Sequence, residues 1–444
     1  LPNFYEGVSM SSSVKRPRVV IVGAGFGGIT AARGLAGKGV DILLIDRLNH
    51  HVFQPLLYQA ATAALAPSDI ASPVREILRR ERETTVLMGE VVGVDPARRV
   101  VRVKETGEFG YDYLILATGA AYSWFGHDEW AAHATLLKTL DDAETIKLRL
   151  LSAFEWAEGH PDSPELARLL TFLIVGGGPT GVELAGAIAE LTSFTLAREF
   201  RRIRPQSARI ILCEAGPRLL PAFPEDLSDY TARALRGLGV TVRLGAAVEN
   251  IDASGVTVLG ERIESANVFW CAGVKARPAA EWLGIDAAHN GAAPVRPDCS
   301  IAGYDEIFAI GDVSSLAGRE GKPLPGLAAV ATQQGKYVAE VIAREVAGKP
   351  KPGPFRYRNL GTLAVIGRSR AVADLGRVRL RGYPAWLFWS LVHLLLLAGF
   401  RNRLVVYVNW SWAWFTHGRS ARLIVGVPPR EEMEGPSPDN HSTR

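Results

Sequence analysis

Only three of the 444 residues are cysteine, Cys213, Cys271 and Cys299, and no two of them form a CxxC pair. That scarcity disfavours a disulfide-framework secreted protein, a zinc ribbon and a dithiol redox enzyme. Clustered metal ligands are also missing. His50 and His51 are adjacent but have no second ligand set nearby, so they read as flavin-side or loop residues and no catalytic metal is expected. No charged segment followed by an apolar stretch opens the chain, so no secretory signal is expected, and about the first dozen residues are set aside as an extension. Charge of one sign is scarce overall: 50 basic against 46 acidic residues leave +4, which argues against nucleic acid as a partner.

What is there is apolar and glycine-rich. The chain is 48% hydrophobic and 22% charged with 45 glycines, enough to bury a large core, and at about 150 residues per domain it predicts two to three domains. The near-neutral total hides an asymmetry. Between Gly353 and Val425 there are eleven arginines, no lysine and one acid, Asp374, so that stretch carries +10 and the remainder about −6.

Val19–Val22 is a short β-branched run followed by Gly23, Gly25 and Gly28, an alanine-rich helical stretch, and a second apolar run ending in Asp46. This is a βαβ unit with a dinucleotide fingerprint. Gly23 makes the tight turn, Gly25 admits the pyrophosphate, Gly28 lets helix and strand pack closely, and Asp46 meets the ribose. The unit recurs 153 residues later: Phe172–Val175 precedes Gly176, Gly178 and Gly181, and Arg209–Cys213 ends in Glu214. Two fingerprints imply two nucleotide sites in two domains. Glu214 would repel a 2′-phosphate, so the second site is expected to take NADH rather than NADPH.

Tyr111–Gly119, with Thr118 and Gly119 at its end, and Tyr304–Asp312 are two further buried strands with small-residue turns. With them the chain resembles the two-dinucleotide-domain flavoprotein superfamily. That resemblance implies FAD at the first fingerprint, the Thr118-Gly119 turn beside it, and Asp312 on the flavin ribityl chain. The superfamily's disulfide reductases need a CxxxxC pair, which is absent, so the cysteines read as small core residues.

Four runs narrow the resemblance: Arg47–Thr62, Gly176–Gly186, Trp270–Pro278 and Leu327–Tyr337. In this order they resemble type II NADH dehydrogenase, the single-subunit NADH:quinone oxidoreductase, from about residue 17 to 425. The resemblance implies an FAD-dependent enzyme that oxidises NADH and reduces a membrane quinone without pumping protons. It adds Gln54, Gly273 and Ala329 to the cofactor-binding set, and places the quinone signature over Ala328–Gln334, with Gln333 and Gln334 as catalytic candidates. Ala329 stands where the signature has its first glutamine, and Arg368 lies where some members carry a lysine. Glu183 is the titratable candidate for proton delivery. It sits in the first turns of the second nucleotide helix, where burial would raise its pKa and the helix dipole would lower it.

The arginine-rich end holds an apolar run, Ala385–Phe400, of 16 residues. At about 1.5 Å per residue it reaches about 24 Å, short of a hydrocarbon core of about 30 Å. Arginines flank it on both sides, and five of the ten tryptophans lie between 386 and 414. Both features suit helices lying in the surface of an anionic leaflet through residues 377–415.

The expected fold is thus α/β, with two Rossmann-like dinucleotide-binding domains and a C-terminal amphipathic helical membrane-anchoring region. FAD-binding segments are expected at 14–165 and 286–350, an NADH-binding domain at 166–285, membrane association at 351–425 and a disordered tail at 426–444. The expected location is peripheral, on the cytoplasmic face of the inner membrane, and a homodimer is left open. Two alternatives are an NADH-dependent reductase of a soluble electron carrier and an NADH-sensing flavoprotein resembling apoptosis-inducing factor.

Overall fold

The computed structural model describes residues 16–425 apart from 289, 319, 320, 417 and 420. The expected extension at the start and the expected tail at 426–444 lie outside the described residues. The chain divides into two compact units. One contains the chain up to His50, Pro73–Ala120 and Ala276–Arg358; the other contains His51–Ser72, Ala121–Lys275 and the residues from Asn359 on.

In the first unit Arg18–Val22 pairs in parallel with Asp41–Asp46 on one side and Tyr113–Leu116 on the other. Thr84–Met88 and Tyr304–Ala309 extend the sheet on either side, also in parallel, and Ser300–Ile301 closes one edge antiparallel. Strand alternation sends Val19 and Ile21 into one core layer and Val20 and Val22 into another, so the sheet is covered on both faces. Helices Phe26–Leu35 and Ala328–Val346 pack against each other in the first of these layers. Their backbones touch because Gly27 faces Gly335, where a Cβ would collide with the Gly27 carbonyl.

The second unit repeats the arrangement. Thr135–Leu136, Asn267–Trp270, Thr171–Val175, Arg209–Glu214 and Val240–Leu244 form a five-stranded parallel sheet. Its glycine-rich loop leads into helix Pro179–Glu190. Three antiparallel strands, Thr362–Gly367, Arg370–Asp374 and Arg379–Gly382, form a small sheet whose first strand lies against that helix. Close approach is possible because Gly186 presents no side chain: a Cβ there would strike the Ile366 carbonyl oxygen.

The arginine-rich end is helical, as Tyr383–Leu396 and Phe400–Thr416. The apolar run lies in the first helix up to Leu396; the chain then leaves the helix at Leu397 and turns at Gly399, whose φ is +84°, before the second begins at Phe400. None of the described helices is long and apolar enough to cross a membrane. Each has two faces. Ala385, Trp389 and His393 recur at helical spacing and are buried, whereas Tyr383, Leu387, Leu391 and Leu395 form an exposed apolar stripe. On the second helix Val406 and Asn402 face inward, while Phe400, Leu404, Tyr407, Val408, Trp412 and Phe415 are exposed. Asn402 donates to the Ser72 hydroxyl at 3.2 Å and Asn409 to Asp69 at 3.3 Å, holding the helix to the His51–Ser72 segment.

Candidate active site

In the first unit sterics demand glycine at two of the three fingerprint positions, Gly23 and Gly28. Gly23 has φ +108°, and a Cβ there would meet the Ala117 carbonyl oxygen at 2.3 Å. Gly28 faces the Gly23 carbonyl so closely that any side chain clashes, whereas Gly25 opens onto free space. The result is a backbone cradle at the start of helix Phe26–Leu35. Asp46 spans the loop, accepting from Ala24 N–H at 2.6 Å and Leu48 N–H at 2.8 Å. Thr118 keeps a buried hydroxyl without a partner, and Gly119 turns there with φ +68°. A bare cradle, an orphaned hydroxyl and an acid at the strand end fit a bound FAD.

Asp312 follows strand Tyr304–Ala309, in the turn Gly311–Val313. Gln334 is fully buried and shapes that turn: its Oε1 accepts from Gly311 N–H at 2.7 Å, and its Nε2 donates to Ser314 Oγ at 3.3 Å. Gln333 pairs with one backbone residue, donating to Arg358 O and accepting from Arg358 N–H, both at 3.0 Å. Both signature glutamine side chains thus hold backbone, and Ala329 sits in the first turn of the same helix.

The second unit carries the matching cradle. Gly176, with φ +107°, lies against Cys271 and Ala272; Gly181 faces the Gly176 carbonyl; Gly178 is open. Glu214 accepts from Gly177 N–H at 2.5 Å and Gly216 N–H at 2.7 Å. Gly273 turns with φ +68° beneath the ring of Phe125. Gln54 is exposed at the start of a single 3-10 turn in this unit. Burial pushes the thiols up, Cys213 to about 11 and Cys271 and Cys299 to about 12, so they behave as small apolar groups.

Beside helix Pro179–Glu190 lies a cavity of about 280 Å³. Trp386, Trp389, Trp410 and Trp414 from the C-terminal helices wall it, with Val365 and Phe194. The polar groups converge from four elements. Glu183 accepts a long hydrogen bond, 3.4 Å, from Val365 N–H, and desolvation pushes its carboxyl up to about 8. Burial therefore outweighs the one hydrogen bond that favours the anion. Tyr58 is buried, and its hydroxyl is held well above the ordinary phenol value by burial first and then by the charge of Glu183. Gln59 donates to the Tyr58 oxygen at 2.8 Å and accepts from Trp410 Nε1–H at 2.7 Å, which fixes its amide. At the other end of the helix Glu190 accepts from Arg368 N–H and lies 3.9 Å from Arg419. Burial raises the Glu190 carboxyl in spite of the two arginines. Arg419 in turn donates to Thr62 O at 2.8 Å and Ala187 O at 3.1 Å. The Arg368 guanidinium stacks 4.6 Å over Trp414.

The arrangement suits a flat, mostly apolar ring with polar groups at its edge, next to a carboxyl that is protonated at neutral pH. Residues 17–335 match the pyridine nucleotide-disulphide oxidoreductase family, and residues 359–420 match the NDH2 C-terminal domain. The type II NADH:quinone oxidoreductase Ndh of Mycobacterium tuberculosis is 43% identical over 92% of this chain and 90% of its own length. The chain belongs to the type II NADH:quinone oxidoreductase family. A second M. tuberculosis protein, NdhA, is 42% identical over 92% of this chain and 89% of its own. Among solved structures, the NDH2 of Plasmodium falciparum in complex with NADH superposes with a TM-score of 0.84, at 21% identity, covering 93% of this chain and all of that one. It shares the fold.

Within this type II NADH:quinone oxidoreductase, Glu183 and Arg368 are the cavity's charged residues that the sequence singles out, and the tryptophans of the 386–414 cluster wall it. Tyr58, Gln59, Glu190 and Arg419 line the same cavity and were not anticipated. Glu190 had a signal, since it lies seven positions from Glu183 and so on the same helical face two turns on. Arg419 had none. It was one of eleven arginines counted toward a lipid-facing charge, yet its side chain is buried, with only a tenth exposed.

Proposed function

We propose that this chain oxidises NADH and passes the electrons through FAD to a membrane quinone, as a single-subunit enzyme that pumps no protons. The cavity carries the reading: one wall is the helix of the NADH-binding fingerprint, bearing Glu183, and the facing wall is formed by tryptophans of helices whose outer faces are apolar. FAD, when bound, supplies the two-electron chemistry. The protein's own contribution is geometric and protic. The Gly23–Gly28 and Gly176–Gly181 cradles hold the two dinucleotides by backbone contact, and Asp46 and Glu214 stand where ribose hydroxyls would bind. Gln334 fixes the Gly311–Asp312 turn, so that Asp312 can present its carboxylate to the ribityl chain. Glu183 holds a proton at neutral pH and donates it to a quinone oxygen. Gln333 keeps the Arg358 backbone in place at the end of its unit.

The apolar stripes of Tyr383–Leu396 and Phe400–Thr416, with exposed Arg377, Arg379, Arg381 and Arg401 beside them, suit a peripheral seat on an anionic leaflet, on the cytoplasmic face. A long-tailed quinone would be met there. The test is turnover of purified protein with NADH and a quinone of short or long tail, with quinol measured directly. Quinol formed from both supports the reading, and NADH oxidation without quinol overturns it.

A further inference from the structure

Quinone reduction by NADH leaves one proton to be found. NADH gives up two electrons and one proton as a hydride equivalent, whereas a quinone becoming a quinol takes two electrons and two protons. The second proton comes from water, and each turnover must bring it into an enclosed site. A donor at Glu183 therefore has to be reloaded every cycle.

Resting on the quinone-reductase reading above, we propose that Glu190 reloads it: Glu190 takes a proton from water and passes it through the Tyr58 hydroxyl to Glu183. Glu183 and Glu190 lie on one face of one helix, seven residues and so about 10 Å apart along its axis. That is too far for a carboxyl-to-carboxyl hydrogen bond of about 2.7 Å. Tyr58 lines the same cavity, close enough to feel the charge of both carboxylates. Gln59 occupies one acceptor position of the Tyr58 oxygen, which leaves its O–H to donate and its second lone pair to accept. Nearly a fifth of the Glu190 side chain is accessible, which leaves room for a water molecule against it.

The step balances. The Glu190 O–H bond breaks as its proton joins the Tyr58 oxygen, and the Tyr58 O–H bond breaks as its proton joins the Glu183 carboxylate. Glu190 is left as an anion and is reprotonated from water. The groups facing Glu190 suit that return: Arg419 from the C-terminal segment, and Arg368 and Arg370 from the strand pair, stabilise the anion without trapping it, because burial opposes them. Glu190 is a positioning and relay residue, since it acts through Tyr58 and Glu183.

The test uses full-length holoprotein and a soluble short-tailed quinone, with ferricyanide, which takes up electrons and no proton, in parallel. For Glu190→Gln the expected result is a loss of about tenfold in quinone kcat near pH 7.5, shrinking to within about twofold near pH 5.5 where protons are plentiful. The solvent deuterium isotope effect on quinone turnover rises, and ferricyanide reduction changes by less than about twofold. Glu190→Asp restores most of the rate. Tyr58→Phe, which keeps the ring packing and removes the relay oxygen, reproduces the same pH-dependent loss if Glu190→Gln fails to fold. A Glu190→Gln or Tyr58→Phe enzyme with the wild-type pH profile and isotope effect overturns the relay. So does a loss shared equally by ferricyanide, which marks a structural role. If wild type reduces ferricyanide and forms no quinol, the quinone reading falls as well, and that is visible before any variant is made.

Discussion

Replacing Glu183 by Gln should make the protein more stable at alkaline pH, and the size of the gain follows from its surroundings. In the unfolded chain the carboxyl titrates near 4.5; in the folded protein desolvation moves it to about 8. The folded state therefore holds a proton that the unfolded state releases, and stability falls as pH rises between those two values. At about 1.4 kcal/mol per pH unit, the full rise sets a ceiling of about 5 kcal/mol. The side chain keeps partial exposure within the cavity, which brings the expected loss to about 2 kcal/mol. Glutamine has the same shape and still accepts from Val365 N–H, but it carries no charge to desolvate. Urea unfolding of wild type and Glu183→Gln from about pH 5 to pH 9 measures the effect. The two should be closest at the acid end and diverge as pH rises through the window between about 4.5 and 8, with the variant ahead by about 2 kcal/mol at pH 8.5. Parallel curves across the range would mean that the carboxyl is not held protonated by burial, and the donor role would lose its physical basis.

The same substitution should slow quinone reduction more than NADH oxidation by the bound flavin; stopped-flow half-reactions separate the two, and both unchanged would refute the role of Glu183. Wild-type quinone turnover should decline as pH rises through about 8, as the donor is lost, with no such decline for ferricyanide. Gly186→Ala drives a methyl group into the Ile366 carbonyl and should cost about 1–3 kcal/mol, read as a lower midpoint in thermal melts. Glu214→Gln keeps an acceptor for Gly177 and Gly216 but removes the charge, so the NADH-over-NADPH ratio of kcat/KM should fall by about tenfold. Leu387, Leu391 and Leu395 changed together to Ser should weaken binding to anionic vesicles by at least about 100-fold, at about 1.5 kcal/mol or more per buried leucine side chain; co-sedimentation unchanged from wild type would move the lipid contact elsewhere.

Both dinucleotide units were legible because their signals are local. A β-branched run, a glycine triplet with two members forced by a carbonyl and the third left open, and a terminal acid occur within 28 residues in the first copy and within 43 in the second. The cavity was not legible to the same degree. Its walls come from Tyr58, Glu190, Arg368, Trp410 and Arg419, which are far apart in sequence, and their meeting depends on Gly186 letting a helix lie on a strand. As a charge total, the arginine-rich end points only outward, toward lipid. Its inner face is core: Ala385, Trp389 and Val406 are fully buried or nearly so, and Arg419 is tied to Thr62 and Ala187. Periodicity over Ala385–Phe400 could not reveal the break after Leu396, because the apolar run continues through Leu397, Ala398 and Phe400 with only Gly399 to interrupt it. Deleting this end would open the cavity, so substitutions on the outer stripe are the sound probe of membrane binding.

The central claim is that NADH oxidation by this chain ends in a quinol. Anaerobic turnover of the full-length FAD-loaded protein with NADH and a quinone, following both compounds at once, tests it most directly. The account predicts one quinol formed for each NADH consumed, with one proton taken from the medium. NADH consumption that leaves the quinone oxidised would contradict it.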